Sequence, residues 1–198
     1  IHYSTASKLV KQVSIALAEL CPQVIKMPVE HEEMKLVSSG FYEKARFPKC
    51  IGALDCTHVK IQSPGGDIAE LYRNRKGVFT INVQAICDAS LLIRNIVARW
   101  PGSTHDSHIF NSSRLKKDFE SNIYGNHILV GDSGYGCTKY LITPLDVVAT
   151  PEERLFQEAQ VRTRNPIERC FGVWKRRFPA LSLGIRLKID RVESIIVA

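Results

Sequence analysis

Two stretches decide the fold: Cys50-Ile51-Gly52-Ala53-Leu54-Asp55 and His127-Ile128-Leu129-Val130-Gly131-Asp132. Each is a short apolar run of strand-forming residues, and each ends in an aspartate. Carboxylates at the ends of buried strands stand where open α/β sheets usually place their ligands. Val59-Lys60-Ile61 adds strand material after a short polar interruption, and Ser63-Pro64-Gly65-Gly66 reads as a loop. Between the two aspartates, Val78 to Cys87 alternates apolar and polar residues. Leu91 to Trp100 is a second apolar strand after the turn-prone Asp88-Ala89-Ser90, so the pair predicts a hairpin.

Helices are expected on both sides. Ala6, Leu9, Val10, Val13, Ala16, Leu17 and Leu20 recur at helical spacing, with Ser4 to cap the start and Pro22 beyond the end. A second helix is expected from Glu30 to Ala45, with Met34, Val37, Phe41 and Ala45 on one face and Pro48 closing it. Another follows Pro101-Gly102-Ser103 through Ile109, Phe110 and Leu115. In the last third, Pro151 opens one helix and a longer one covers Pro166 to Phe178. The fold class is therefore mixed α/β, or α+β with a mixed sheet. The expected division is a helical N-terminal segment, 1–46, and a domain at 47–198.

Composition narrows the function classes. Of 198 residues, 27 are Lys or Arg and 20 Asp or Glu, a net charge of +7 that favours a polyanionic partner. No apolar run approaches the roughly 18 residues of a spanning helix, and no leader follows Ile1, so neither an anchor nor a signal peptide is expected. The six cysteines include no C-x-x-C pair. Reduced, buried thiols of an intracellular protein are expected rather than a disulfide framework or zinc ligation.

Asp55, Asp132 and Glu168 stand out among the acids, with Asp106 a fourth. Taken singly, each has an ordinary reading as turn former, helix cap or solvated charge. Converging, they would repel: two unit charges ~4 Å apart cost about 4 kcal/mol at an effective dielectric of 20. Protonation is one relief and a divalent cation with oxygen ligands the other. The surrounding basic residues favour a phosphate substrate over a neutral sugar. On the late helix, Arg164, Arg169, Lys175 and Arg176 accompany Glu168, and Gly172 leaves room where a phosphate backbone would approach.

An ordered series of motifs carries a resemblance: Asp55-Cys56-Thr57-His58, Asn74-Arg75-Lys76-Gly77, Asn82-Val83-Gln84-Ala85, Gly102-Ser103-Thr104-His105-Asp106, Gly131-Asp132-Ser133-Gly134-Tyr135 and Ile167-Glu168-Arg169-Cys170-Phe171-Gly172. The chain resembles the PIF/Harbinger transposase superfamily and its transposase-derived nucleases, from about Phe47 to Phe178. The resemblance implies an RNase H-like DDE domain with Asp55, Asp132 and Glu168 as its catalytic acids. Asp106 joins them as a metal ligand for Mg²⁺ or Mn²⁺. Between Asp132 and Glu168 lie 35 residues, the usual spacing of such transposases. Cys56 replaces the family's usual glycine and would either crowd the metal loop or offer a soft ligand. Residues 1–46 resemble the end of a helix-turn-helix, with Lys8, Lys11 and Gln12 outward, so a chain shortened at both ends is expected.

The implied function is cleavage of DNA phosphodiesters by a two-metal mechanism, the ions held by Asp55 and Asp132 with Glu168 and Asp106 completing the shell. Arg164, Arg169, Lys175 and Arg176 are the expected DNA contacts, and His58 and His105 orient phosphate or ligands. The resemblance also implies a nuclear protein, with the cytoplasm as a second location, and a separate Myb-like partner that targets DNA. The alternative is a domesticated, catalytically idle DNA-binding or scaffolding protein. A zinc module built on cysteines with His105 and His108 is a third reading, weakened by their dispersed spacing.

Overall fold

The computed structural model describes residues 2–198; Ile1, the expected start of the helical segment, lies outside the described residues. At its centre is one mixed sheet of β1 (Cys50–Lys60), β2 (Thr80–Cys87), β3 (Ile93–Pro101), β4 (Ile128–Val130) and β5 (Leu141–Ile142). The order is β3-β2-β1-β4-β5. β1–β2 and β2–β3 are antiparallel, and β1–β4 and β4–β5 are parallel. Helices α1 (Tyr3–Val24) and α2 (His31–Ala45) precede β1. Helices α3 (Asp106–Asn111) and α4 (Arg114–Glu120) join β3 to β4. After β5 come α5 (Pro151–Arg177), α6 (Ala180–Leu183) and α7 (Ile189–Val197). The expected mixed α/β sheet with flanking helices, including the β2–β3 hairpin, is present.

Several boundaries differ, each for a physical reason. β1 has no polar interruption: it pairs with β2 continuously from Ala53 opposite Cys87 to Lys60 opposite Thr80. Polar side chains change which groups meet solvent, but the backbone ladder runs through them. The helix after Gly102 is two helices, because Ser113 caps a new one by accepting from the Lys116 N–H. α5 is a single helix of 27 residues with Pro166 inside it. An interior proline costs about 3 kcal/mol. Here Pro166 is itself buried, beside Ile167, Cys170 and Phe171, and their burial on the sheet offsets that cost. Pro22 likewise lies inside α1, which His2 rather than Ser4 caps.

The core has two parts, placed along β1. The larger gathers its first half (Cys50, Ile51, Ala53, Leu54) with the buried faces of α2 and α5. α2 contributes the four residues expected of it, Met34, Val37, Phe41 and Ala45. The smaller gathers Val59, Ile81 and Val83 with Leu181 and Ile185 near α6 and Val192 and Ile196 of α7. Trp174 of α5 packs against both. Leu9, Val10, Val13, Leu17 and Leu20 of α1 remain about half exposed. Among the described residues, no helix is long and apolar enough to cross a membrane.

Candidate active site

The candidate site lies at the seam between the two cores, where β4 stops. In the parallel pairing, Ala53 is opposite Val130. Two residues further along each chain are Asp55 and Asp132, so the register carries both carboxylates to the same level. Asp55 is inside the sheet, but Asp132 has just left it and is held by local structure. Its Oδ1 accepts the Gly134 N–H at 3.0 Å, an Asx turn, and a Cβ on Gly134 would stand 3.1 Å from that oxygen. Behind it, the buried Gln160 of α5 donates from Nε2 to the carbonyls of Gly131 (2.8 Å) and Ile142 (3.3 Å). Gln160 thus ties the helix to the backbone that presents Asp132. One polar residue in a helix offers no sequence signal for that role.

Side chains alternate across β1, and the contacts follow. Asp55 and Thr57 face α5: Arg164 donates to Asp55 Oδ2 at 3.3 Å and Lys175 to Thr57 Oγ1 at 2.7 Å. Cys56 and His58 face the other way. The Cys56 thiol lies 3.3 Å from the Tyr135 hydroxyl, and His58 Nδ1 lies 2.9 Å from Thr80 Oγ1. Asp106 is on that second side, where its Oδ1 accepts from Asn82 Nδ2 at 2.7 Å. It is the first residue of α3, whose N-cap position is His105, so it does not cap the helix.

Burial dominates the electrostatics of Asp55. It pushes the carboxyl up to about 6, helped by the charges of Asp132 and Asp106. The Cys56 N–H, 2.7 Å from Oδ1, and the Arg164 guanidinium pull the other way without cancelling it. Burial also raises the Cys56 thiol and the Tyr135 hydroxyl, so both stay protonated at neutral pH. Without a bound metal, Cys56 is therefore a neutral neighbour of the acids.

Glu168 is placed differently. Its side chain is 55% exposed and Arg164 holds it at 2.6 Å, one helical turn away. Arg164 thus bridges Glu168 and Asp55. The charges of Asp132 and Asp106 reach Asp55, whereas Glu168 is linked to Asp55 through a guanidinium. Of the expected DNA contacts, Arg164 is committed to these acids. Lys175 is half-buried and donates to Thr57 Oγ1 and to the His58 carbonyl at 2.8 Å, and burial lowers its pKa. Arg169 and Arg176 are exposed.

With that geometry in view, comparison with known proteins decides the family. A family model described as "DDE superfamily endonuclease" matches residues 54–198. The chain belongs to this family. It is 32% identical over 181 residues to "Putative nuclease HARBI1" of Homo sapiens, an alignment covering 91% of this chain and 52% of that protein. It is 25% identical over 158 residues to "Protein ALP1-like" of Arabidopsis thaliana, covering 73% of this chain and 38% of that one. The chain spans about half the length of the curated relatives it matches. No solved structure matches it. The mixed sheet is accordingly the RNase H-like sheet of a transposase-derived nuclease family.

Members of this DDE endonuclease family generally use divalent metals. Among the described residues, no three His, Cys, Asp or Glu side chains are spaced to hold an ion as they stand. The donor chemistry nevertheless fits: the register brings Asp55 and Asp132 to the same level as oxygen donors, and the Asp55 pKa is raised chiefly by burial, with the charges of Asp132 and Asp106 adding to it. Glu168 is paired with Arg164 through one carboxylate oxygen, Oε1.

Proposed function

We propose that the chain is a metal-dependent nuclease domain acting on DNA phosphodiesters, with Asp55, Asp132 and Glu168 as catalytic acids and Asp106 as a further ligand. The observation that carries this is the level placement of Asp55 and Asp132 with the Asp55 carboxyl pushed up to about 6. Carboxylates brought together against their own repulsion in a chain of net charge +7 favour a cation and then a phosphate. Asp55, Asp132, Glu168 and Asp106 would hold one or two Mg²⁺ or Mn²⁺ ions, which when bound would supply activation of water and stabilisation of the departing 3′ oxygen.

The chain's own residues supply the rest. Cys56 and Tyr135, protonated and buried, are poor nucleophiles, which agrees with water as the attacking group. Arg164 limits repulsion between Asp55 and Glu168 in the free protein. Arg169 and Arg176, exposed on α5, would contact the backbone of the substrate. Nuclear residence, with the cytoplasm as a second location, and targeting by a Myb-like partner accompany this reading.

A second reading, an idle DNA-binding protein, is favoured by one feature. Arg164 already provides the acids with a cation of the protein's own. A nicking assay on plasmid DNA in Mg²⁺, Mn²⁺ and EDTA separates the two. Cutting that requires the metal supports the nuclease; metal-independent binding without cutting supports the idle protein.

A further inference from the structure

Beside the acidic centre, on the Cys56–His58 side of β1, lies a cavity of about 380 Å³ to which that centre contributes Asp106. That is within the roughly 300–1,000 Å³ of sites for small ligands. Its walls bring together Lys60, Arg75, Lys76, His58 and His105, and its only carboxylate is Asp106. Among the described residues, Lys60, Arg75 and Lys76 have no carboxylate partner within ion-pair distance.

The cavity is built rather than incidental. Asn74 Oδ1 accepts the N–H groups of Lys76 (3.0 Å) and Val78 (3.1 Å), and Gly77 closes the turn at φ 74°. Arg73 braces it from outside, donating to the Gly77 carbonyl at 2.9 Å and lying over the Phe79 ring. Arg75 donates to His105 Nδ1 at 2.6 Å, which joins the turn to the opposite wall. That wall passes Gly102, where any Cβ would collide with Thr80 and the Tyr72 carbonyl. On the floor, the buried Asn82 Oδ1 has no hydrogen-bond partner.

We propose that this cavity is a subsite for one backbone phosphate of the DNA strand, next to the acidic centre, with Arg75 and Lys76 as its principal contacts. The assignment deepens the nuclease reading and rests on it for the identity of the strand. Three uncompensated cations specify an anion, and Asp106 places that anion beside the acids. The walls hold no Phe, Tyr or Trp on which a base would stack, so the pocket reads backbone and not sequence.

The test compares two double variants that remove the same charge. Arg75→Ala with Lys76→Ala changes exposed residues of the turn; Lys35→Ala with Lys117→Ala changes exposed lysines elsewhere. Binding of short duplexes of unrelated sequence is measured in EDTA across a salt series, beside calorimetric titration with inorganic pyrophosphate. The pocket variant is expected to bind every duplex roughly tenfold more weakly, with a salt slope flatter by about two, and to lose pyrophosphate. The control is expected to change neither clearly. Equal behaviour of the two variants, or a loss confined to one duplex sequence, overturns the proposal. If the parent binds pyrophosphate through Arg75 and Lys76 but no duplex, the anion pocket stands and its assignment to DNA falls with the nuclease reading. If it binds neither, both fall.

Discussion

The two halves of β1 share one strand and one partner yet differ in purpose. Cys50 to Leu54 is buried throughout; Asp55 to His58 is partly open, and each of its side chains touches a group of the candidate site. The difference arises next door. β4 ends opposite Ala53, so from Leu54 to Val59 β1 keeps β2 on one edge and has no strand on the other, until Ile185 bonds to Lys60. Where a neighbouring strand stops, polar side chains gain room to meet solvent, helix and substrate. The packed half supplies rigidity, and the open half presents chemistry on that rigid base.

The harshest test of the comparison is Gly52→Val in the packed half. A Cβ at Gly52 would collide with Ile86 and Leu129, so even alanine is expected to cost on the order of 3 kcal/mol. Valine should abolish the cooperative thermal transition followed by circular dichroism. If the valine variant melts like the parent, the first half of β1 is not the packed base described here.

In the open half, Asp55→Asn should do the reverse. Metal-dependent cutting is expected to fall by at least about a hundredfold, while the fold gains stability. Because the folded carboxyl titrates near 6 and the unfolded one near 3.8, the native state holds more protons between those values. Stability therefore falls as pH rises through that window, and removing the charge recovers up to about 3 kcal/mol at pH 7 in EDTA. The gain should vanish below about pH 4. A melting temperature at pH 7 below the parent's would mean Arg164 outweighs burial after all.

Glu168→Gln tests the third acid, on the exposed helix face. Binding in EDTA should hold or tighten, since one negative charge leaves a surface that meets phosphate, whereas cutting in Mg²⁺ should disappear. Cutting at the parental rate would remove Glu168 from the site and move the idle DNA-binding protein ahead. Asp106→Asn should be milder for the fold, because Asp106 does not cap α3. As a ligand it should weaken Mn²⁺ affinity much as Asp55→Asn does, measured by calorimetry; unchanged affinity would leave Asp106 as a wall of the basic cavity only. The smallest effect is expected from Lys175→Ala, which loses two hydrogen bonds to β1 for about 1 kcal/mol. A much larger loss would show that the open half needs the helix for its shape.

Much of this was legible beforehand. The spacing of Met34, Val37, Phe41 and Ala45 reflects which face must leave water, and α2 buries those four. Alternation from Val78 to Cys87 marked a strand but not its burial, since Thr80, Asn82 and Gln84 are buried along with Ile81, Val83 and Ala85. The stops were less legible. Pro166 reads as a helix boundary because proline removes a hydrogen bond, but the packing of α5 on the sheet carries the helix through it. Arg164 and Lys175 read as free cations because a sequence shows charge and not whom it faces.

The sequence alone therefore determined the mixed α/β sheet, its hairpin, the family and the four acids worth asking about, since these depend on local periodicity and on ordered motifs. Only tertiary structure decided that Asp55 and Asp132 stand level, that Glu168 reaches them through Arg164, and that Asn74 to Gly77 and Gly102 to Asp106 enclose one basic cavity. Those are relations between segments far apart in the chain. They are set by strand register and by burial, and neither is a property of any one stretch of residues.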